Sequence, residues 1–437
     1  MWRIDATTAE RDQARAAGGL AAAGLRRGDR VAFLLGPSPR LLVAAVGALR
    51  AGVVPVLLNP TLLDAERALL LADADPALVV DSDERLAGLF EAAPGDMADV
   101  PLARPMHYTS GTSGRPKGVW SGVLDDRAAR ELFDDEADLW GFGPDDVHLA
   151  CSPLHHSAPL RFAASVLLRG GTVVLLPRYD AALVARALRQ EGVTTAFMVP
   201  AHLQRLFAVA PAPAAPRLRL LAHAGAPCPP KLKRQALTAF PEGSVWEFYG
   251  ATEGQFTVCS PQEWEARPGT VGRARPGRRL EVDEGGRIWC RAPRFARFEY
   301  WRDPERTAEA WRGDAFTVGD LGRLDDEGYL FVDGRRDDLV ISGGVNVYPA
   351  EVEAVLAEVP GVQEVAVFGA PDERWGQRVC AAVVGDARAE DVIAAARARL
   401  AAYKCPKEVY TVADLPRTST GKVRRSAVAA ALGLAEG

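Results

Sequence analysis

The sequence predicts an α/β protein. A large N-terminal body of parallel α/β subdomains carries a small β-rich subdomain, and a C-terminal α+β domain follows. Three observations predict this. Strand-like apolar runs alternate with helix-spaced ones over 30–80 and again over 172–248, a βαβ rhythm that calls for parallel strands covered by helices. Beyond residue 265 the runs become short and are separated by Gly, Pro and charges, as in small β subdomains. A third texture begins near Gly334 and fills a piece of about 100 residues, the size of an independent unit. The domains are therefore placed at 1–334 and 335–437.

The elements follow in order. Arg30 to Leu35 is a short apolar strand closed by Gly36-Pro37. Ser38 is a good helix cap and Pro39 a good first helical residue. Leu41, Leu42, Ala45, Val46 and Leu49 recur at helical spacing, and Gly52 ends the helix. Val53 to Leu58 is a buried strand, Asp64 opens a helix through Leu71, and Ala77 to Val80 is the next strand. Strands at 172–176, 194–198 and 245–248 alternate with helices at 180–190 and 229–240. The Ala- and Pro-rich piece 209–216 is a surface loop. Strands at 278–282 and 286–290 belong to the β-rich subdomain. The last domain reads helix 351–358, strands 364–368 and 379–384, helix 389–400 and strand 408–412. The first βαβ signals begin only by residue 30, so the opening of the chain reads as short.

Composition excludes several classes. The 437 residues carry 52 Lys+Arg against 57 Asp+Glu, a net charge of −5, with none of the basic bias of a nucleic-acid binder. The start, Met1-Trp2-Arg3-Ile4-Asp5, lacks the apolar core of a secretory signal. The most membrane-like stretch, Leu41 to Leu58, contains Arg50, Gly52 and Pro55, so no membrane span is expected. Six scattered cysteines form no Cys-x-x-Cys pair, which points to a cytoplasmic location and not to zinc.

The strongest chemical signal is Tyr108-Thr109-Ser110-Gly111-Thr112-Ser113-Gly114-Arg115-Pro116-Lys117-Gly118. Glycines let backbone N–H groups approach a ligand closely. Hydroxyls and N–H groups together can wrap phosphate oxygens, with Lys117 adding charge. The spacing is not that of a Walker P-loop. A flexible Ser/Gly loop is the plain alternative on composition alone.

This segment resembles the signature phosphate loop of the adenylate-forming superfamily, in its acyl-CoA synthetase branch, and further landmarks follow in the family's order over nearly the whole chain. Ser152 to Pro159 resembles the segment beside the acyl pocket, with His156 as pocket wall or gate. Ala224-Gly225-Ala226-Pro227 resembles the stretch flanking the adenine. Tyr249-Gly250-Ala251-Thr252-Glu253-Gly254 resembles the second signature. There Tyr249 stacks on the purine, Thr252 donates to the α-phosphate and Glu253 is the Mg2+ ligand. Asp320, in Phe316 to Leu321, would accept from the ribose hydroxyls. Val318 stands where the family has Thr.

The resemblance further implies that Arg335 contacts ribose and phosphate, that Asp337 is the hinge, and that Gly343 and Gly344 open the CoA tunnel. Lys422, in Leu415 to Arg425, matches the catalytic lysine that offsets charge as pyrophosphate leaves. The implied ATP site is thus Thr109, Ser110, Gly111, Thr112, Ser113, Gly114, Lys117, Gly225, Ala226, Tyr249, Asp320 and Arg335, with Lys422, Thr252, Glu253 and His156 catalytic.

The implied activity is ATP- and Mg2+-dependent adenylation of a carboxylic acid, then transfer to CoA, with the C-terminal domain as a mobile lid. Three alternatives stay open: loading of an acyl carrier protein, a nitrogen nucleophile, or a catalytically inactive nucleotide-binding protein. A homodimer is also left open, as is the acid. Acyl walls are implied at 156–165, 223–228 and 249–257, where Arg161 and His223 could meet a polar group or a second carboxylate but read first as structural or solvated. The 82–105 stretch is compressed, and Glu299 stands where the family has Gly.

Overall fold

The computed structural model describes residues 1–109, 117–335, 339–342, 345–372, 374–417 and 423–434, apart from the side chains of Thr109, Arg335 and Asn346. The body is built on a six-stranded sheet in the order Trp2–Asp5, Thr172–Leu175, Val147–Ala150, Thr195–Met198, Leu220–His223 and Val245–Glu247. The last five strands are parallel. A second, three-stranded parallel sheet joins Val54–Leu57, Arg30–Phe33 and Leu78–Val80. One apolar cluster connects the two, from Val31, Phe33 and Val80 to Ala150, Val173 and Ala222. The helix Pro39–Arg50 lies within it and is buried on every side from Leu41 to Arg50. Ser38 Oγ caps that helix by accepting from Leu41 N at 3.1 Å.

The N-terminal expectation is corrected. Elements begin at residue 2, not 30. Trp2–Asp5 pairs antiparallel with Thr172–Leu175, and the helix Ala6–Ala22 follows, capped by Asp5. The strand was hard to read because Ile4 is its single buried residue. The helix was hidden by Gly18-Gly19, a pair that ordinarily breaks helices. Here the pair permits contact: a Cβ on Gly18 would lie 1.9 Å from the Ala93 carbonyl oxygen, and one on Gly19 would lie 2.1 Å from that of Leu89.

The β-rich expectation holds. Arg279–Val282, Ile288–Arg291, Ala315–Phe316 and Trp311–Arg312 form a four-stranded antiparallel sheet. Asp320–Leu324 pairs antiparallel with Leu330–Arg335. A further small sheet joins His107–Thr109, Lys117–Trp120 and Glu299–Tyr300, with Thr109 opposite Lys117 and Val119 opposite Tyr300.

The C-terminal piece has its own sheet of Val345–Val347, Val340–Ser342, Gly376–Gly385 and Val362–Asp372, with Glu408–Thr411 parallel to Gly376–Gly385. Helices Pro349–Leu356 and Ala389–Arg399 cover one apolar cluster, and Arg425–Ala431 covers another. Gln204 Nε2 reaches across from the body to the Gln363 carbonyl at 3.1 Å. Among the described residues no helix is long and apolar enough to cross a membrane.

Candidate active site

Five parallel strands end at one edge, and open α/β sheets bind ligands in the crevice outside those carboxyl ends. Three of the predicted segments leave from there. Ser152 to His156 follows the strand Val147–Ala150, Ala224 to Pro227 follows Leu220–His223, and Phe248 to Gly254 follows Val245–Glu247. Gly225 and Ala226 are exposed in their loop. His156 is the N-cap residue of the helix Ser157–Leu168, and its ring lies 4.4 Å from that of His155.

The turn 250–254 closes on itself, with Ala251 N donating to Gly254 O at 2.9 Å and Gly254 N to Ala251 O at 3.2 Å. Gly250 is required by close approach, since a Cβ there would meet Gly254 O at 2.6 Å. The turn holds Glu253 inward and buried. The Glu253 carboxylate lies 2.9 Å from Lys117 Nζ and accepts from the Tyr300 hydroxyl at 2.7 Å. Burial acts to raise this carboxyl, but Lys117 and Tyr300 outweigh burial and hold it below the usual carboxylate range. Lys117 also sits 4.2 Å above the Tyr300 ring.

Tyr249 and Asp320 are likewise brought together. The Tyr249 hydroxyl donates to Asp320 Oδ2 at 2.7 Å, and its ring packs 5.0 Å from Phe256. In register, Asp320 faces Arg335 across the antiparallel pair. The carboxylate implied for the ribose thus stands beside the ring implied for the purine. Thr252 is half-buried next to Glu253.

Ser110, Gly111, Thr112, Ser113, Gly114, Asp337, Gly343, Gly344 and Lys422 lie outside the described residues, as does the side chain of Thr109.

Sequence reasoning missed Tyr300 and Arg104. Arg104 donates to the carbonyls of Thr252 at 3.2 Å and Glu253 at 3.4 Å, which fixes the turn's backbone. Neither residue stands in a motif, and their partners are 47 and about 150 residues away in sequence. His107 was also missed. Its Nδ1 donates to the His155 carbonyl at 3.1 Å, and burial pushes the ring down to about 3, so it is neutral in this role.

His223 does not face this site. It is sealed between the sheet and the helix Pro230–Ala239, where Lys233 Nζ donates to its Nε2 at 2.6 Å. Lys233 also lies 3.3 Å from Glu247.

Among the described residues no three His, Cys, Asp or Glu side chains gather as a metal cluster. Glu253 is a single carboxylate at a cationic edge. That donor set fits Mg2+, which keeps waters and takes one or two carboxylates plus substrate phosphates. It does not fit zinc.

An open parallel sheet that collects an aromatic ring, two carboxylates and a lysine beside its carboxyl edge has the form of an α/β enzyme with a ligand crevice. The chain belongs to the AMP-binding enzyme family of the adenylate-forming superfamily. The family model matches residues 7–102 and 104–297, and the AMP-binding enzyme C-terminal domain matches 351–422. An indoleacetate–CoA ligase of Aromatoleum aromaticum is 34% identical, over 95% of this chain and 90% of its own length. An o-succinylbenzoate CoA synthetase of Bacillus subtilis, solved with its acyl-adenylate intermediate, superposes with a TM-score of 0.84 at 28% identity, covering 96% of this chain and 92% of that one. The same synthetase is also known with ATP and a magnesium ion. An amide bond synthetase of Marinactinospora thermotolerans superposes with a TM-score of 0.82 at 30% identity, covering 98% and 94%.

Proposed function

We propose that this protein activates a carboxylic acid with ATP to an acyl-adenylate, releases pyrophosphate, and transfers the acyl group to the thiol of CoA. The observation that carries this reading is the meeting of Lys117, Glu253, Tyr249 and Asp320, from three separate segments, beside the carboxyl edge of the sheet.

In the first step a substrate carboxylate oxygen attacks the α-phosphorus and the bond to pyrophosphate breaks. Both reactants are anionic, so positioned positive charge lowers the barrier. Lys117 supplies it from the body and Lys422 from the C-terminal domain. Lys117 would turn to the triphosphate, and Glu253 would then be the carboxylate that holds Mg2+. The chemistry Mg2+ supplies there is neutralisation of the phosphate oxygens. Tyr249 stacks on the purine while Asp320 accepts from the ribose. In the second step the CoA sulfur attacks the acyl carbon, AMP leaves, and the thiol proton passes to solvent. The domain 335–437 turns about Asp337 between the steps, withdrawing Lys422 and bringing in Gly343 and Gly344.

The test separates the half-reactions. Lys422→Ala should abolish ATP–pyrophosphate exchange yet still form thioester from supplied acyl-adenylate, and equal loss of both would reject the assignment. A second reading is a nitrogen acceptor, favoured by the likeness to an amide bond synthetase. A third is a holo-acyl carrier protein. Incubating the acyl-adenylate with CoA, an amine and holo-carrier protein in parallel identifies the acceptor.

A further inference from the structure

The helix Ser157–Leu168, which starts at His156, has two unlike sides. Leu160, Phe162, Ala163 and Val166 are packed solid in the main core, and Phe162 meets Trp140, Phe197 and Phe248 at ring distances of 5.5 to 6.3 Å. Ser157 and Arg161, one turn apart, lie on the less buried side. Arg161 Nη1 donates to Glu136 Oε1 at 3.0 Å.

That pair belongs to a larger group. Asp135 takes both Arg275, at 2.8 Å, and Arg278, at 2.9 Å. Arg275 is 2% exposed, and its Nε finds no acceptor among the described residues. Arg104 lies within electrostatic reach of Glu136, Arg161 and Glu253. It makes no ion pair among the described residues and holds only the carbonyls of Thr252 and Glu253. Four guanidiniums therefore share two carboxylates, a surplus of two positive charges, and the next acid, Glu253, is already matched by Lys117. Half-buried positive charge without a counter-ion is costly. An arriving anion would remove that cost, and guanidinium is the side chain best suited to a carboxylate.

We propose that the acid activated here carries a second carboxylate, received by Arg161 and Arg104 beside the turn 250–254. The inference rests on the adenylation reading and deepens it. Glu136 orients Arg161 as its positioning residue. The packed aromatic side of the helix leaves selection to this charged side. A site built to pair a charged substrate group rejects analogues lacking it strongly, because its own groups are then left unpaired.

The experiment is pyrophosphate release across matched acids: dicarboxylic acids with one to four methylenes, monocarboxylic acids of the same chain length, and the corresponding ω-amino acids. The best dicarboxylic acid should exceed its monocarboxylic partner by about 100-fold or more in kcat/KM. Arg161→Met should cut that ratio at least about tenfold. The Arg161→Met/Glu136→Leu double variant, which leaves no unpaired acid, should cut it equally. Because the ratio is read within each variant, partial misfolding cancels. Release with monocarboxylic or amino acids but not with dicarboxylic acids overturns the proposal while the adenylation reading stands. Equal release with dicarboxylic and monocarboxylic acids, or release with none of them, also overturns the proposal, whereas the adenylation reading falls only if long-chain and aryl acids are silent as well.

Discussion

Two buried Lys–Glu pairs lie near the same sheet edge, and they serve opposite ends. Lys117 and Glu253 are 2.9 Å apart, with the lysine side chain 19% exposed and a tyrosine hydroxyl on the acid. Lys233 and Glu247 are 3.3 Å apart, with the lysine wholly sealed and a histidine beside it. In the first pair the cation outweighs burial and holds the acid low. In the second, burial wins and pushes Glu247 up despite the lysine. The difference is access. The lysine of the first pair opens to the surface, whereas the second is sealed between the helix Pro230–Ala239 and the sheet. Burial of an ion pair is therefore weak evidence of function until its exposure is known.

The comparison can be broken at its sealed side first. Lys233→Met should destabilise the fold by about 3–5 kcal/mol, because it leaves Glu247 buried and uncompensated. Lys233→Met/Glu247→Leu should recover most of that loss in denaturant titrations. If the single variant melts like wild type, the sealed pair is not structural.

Glu253→Gln should do the reverse, lowering kcat for adenylation by about 10²-fold, comparable to removing one oxyanion donor. The Mg2+ dependence of pyrophosphate release should shift to higher concentration. An unaltered Mg2+ titration would mean that Glu253 is not the ligand.

Acid should distinguish the two surroundings. Burial, and then Lys233, hold the His223 imidazole well below 6.5. The unfolded chain binds its proton there below 6.5 while the folded chain does not, so stability falls as pH falls through that window. The share from one such group is about 1.4 kcal/mol per pH unit. The Tm lost between pH 6.5 and 5.5 should shrink in His223→Asn, and an unchanged slope would reject the assignment. On the accessible side, Tyr300→Phe removes one hydrogen bond to a charged group and should cost about 1.5–3 kcal/mol in transition-state or ground-state binding of Mg-ATP. Equal KM and kcat for wild type and Tyr300→Phe would show that the hydroxyl does not position Glu253.

Much of this was legible in the sequence, for definite reasons. The alternation of short apolar runs located most central strands because parallel strands are buried on both faces. The order of the signature segments located Tyr249, Glu253, Lys117 and Asp320 before any fold was known. Composition and spacing could not show that Tyr300 completes the Glu253 site, because the strand Glu299–Tyr300 reaches it only by pairing with Lys117–Trp120. Nor could they separate Lys233 from Lys117. Lys117 follows Pro116 and Lys233 follows Leu232, each within a few residues of other basic side chains, and only packing seals one of them. The opening strand failed for the reason given by Ile4: one buried side chain carries no period.

That opening strand also has a consequence in time. Arg3 pairs with Val174, so at about 5–20 residues per second a ribosome needs roughly 10–35 s to supply the partner of a strand already made. Until then, the first edge of the main sheet has nothing to lie against. The helix Ala6–Ala22 can dock early on Pro39–Arg50, holding Trp2–Asp5 nearby on a short tether. The first strand of this body can therefore take its place only once about half of the body has been made.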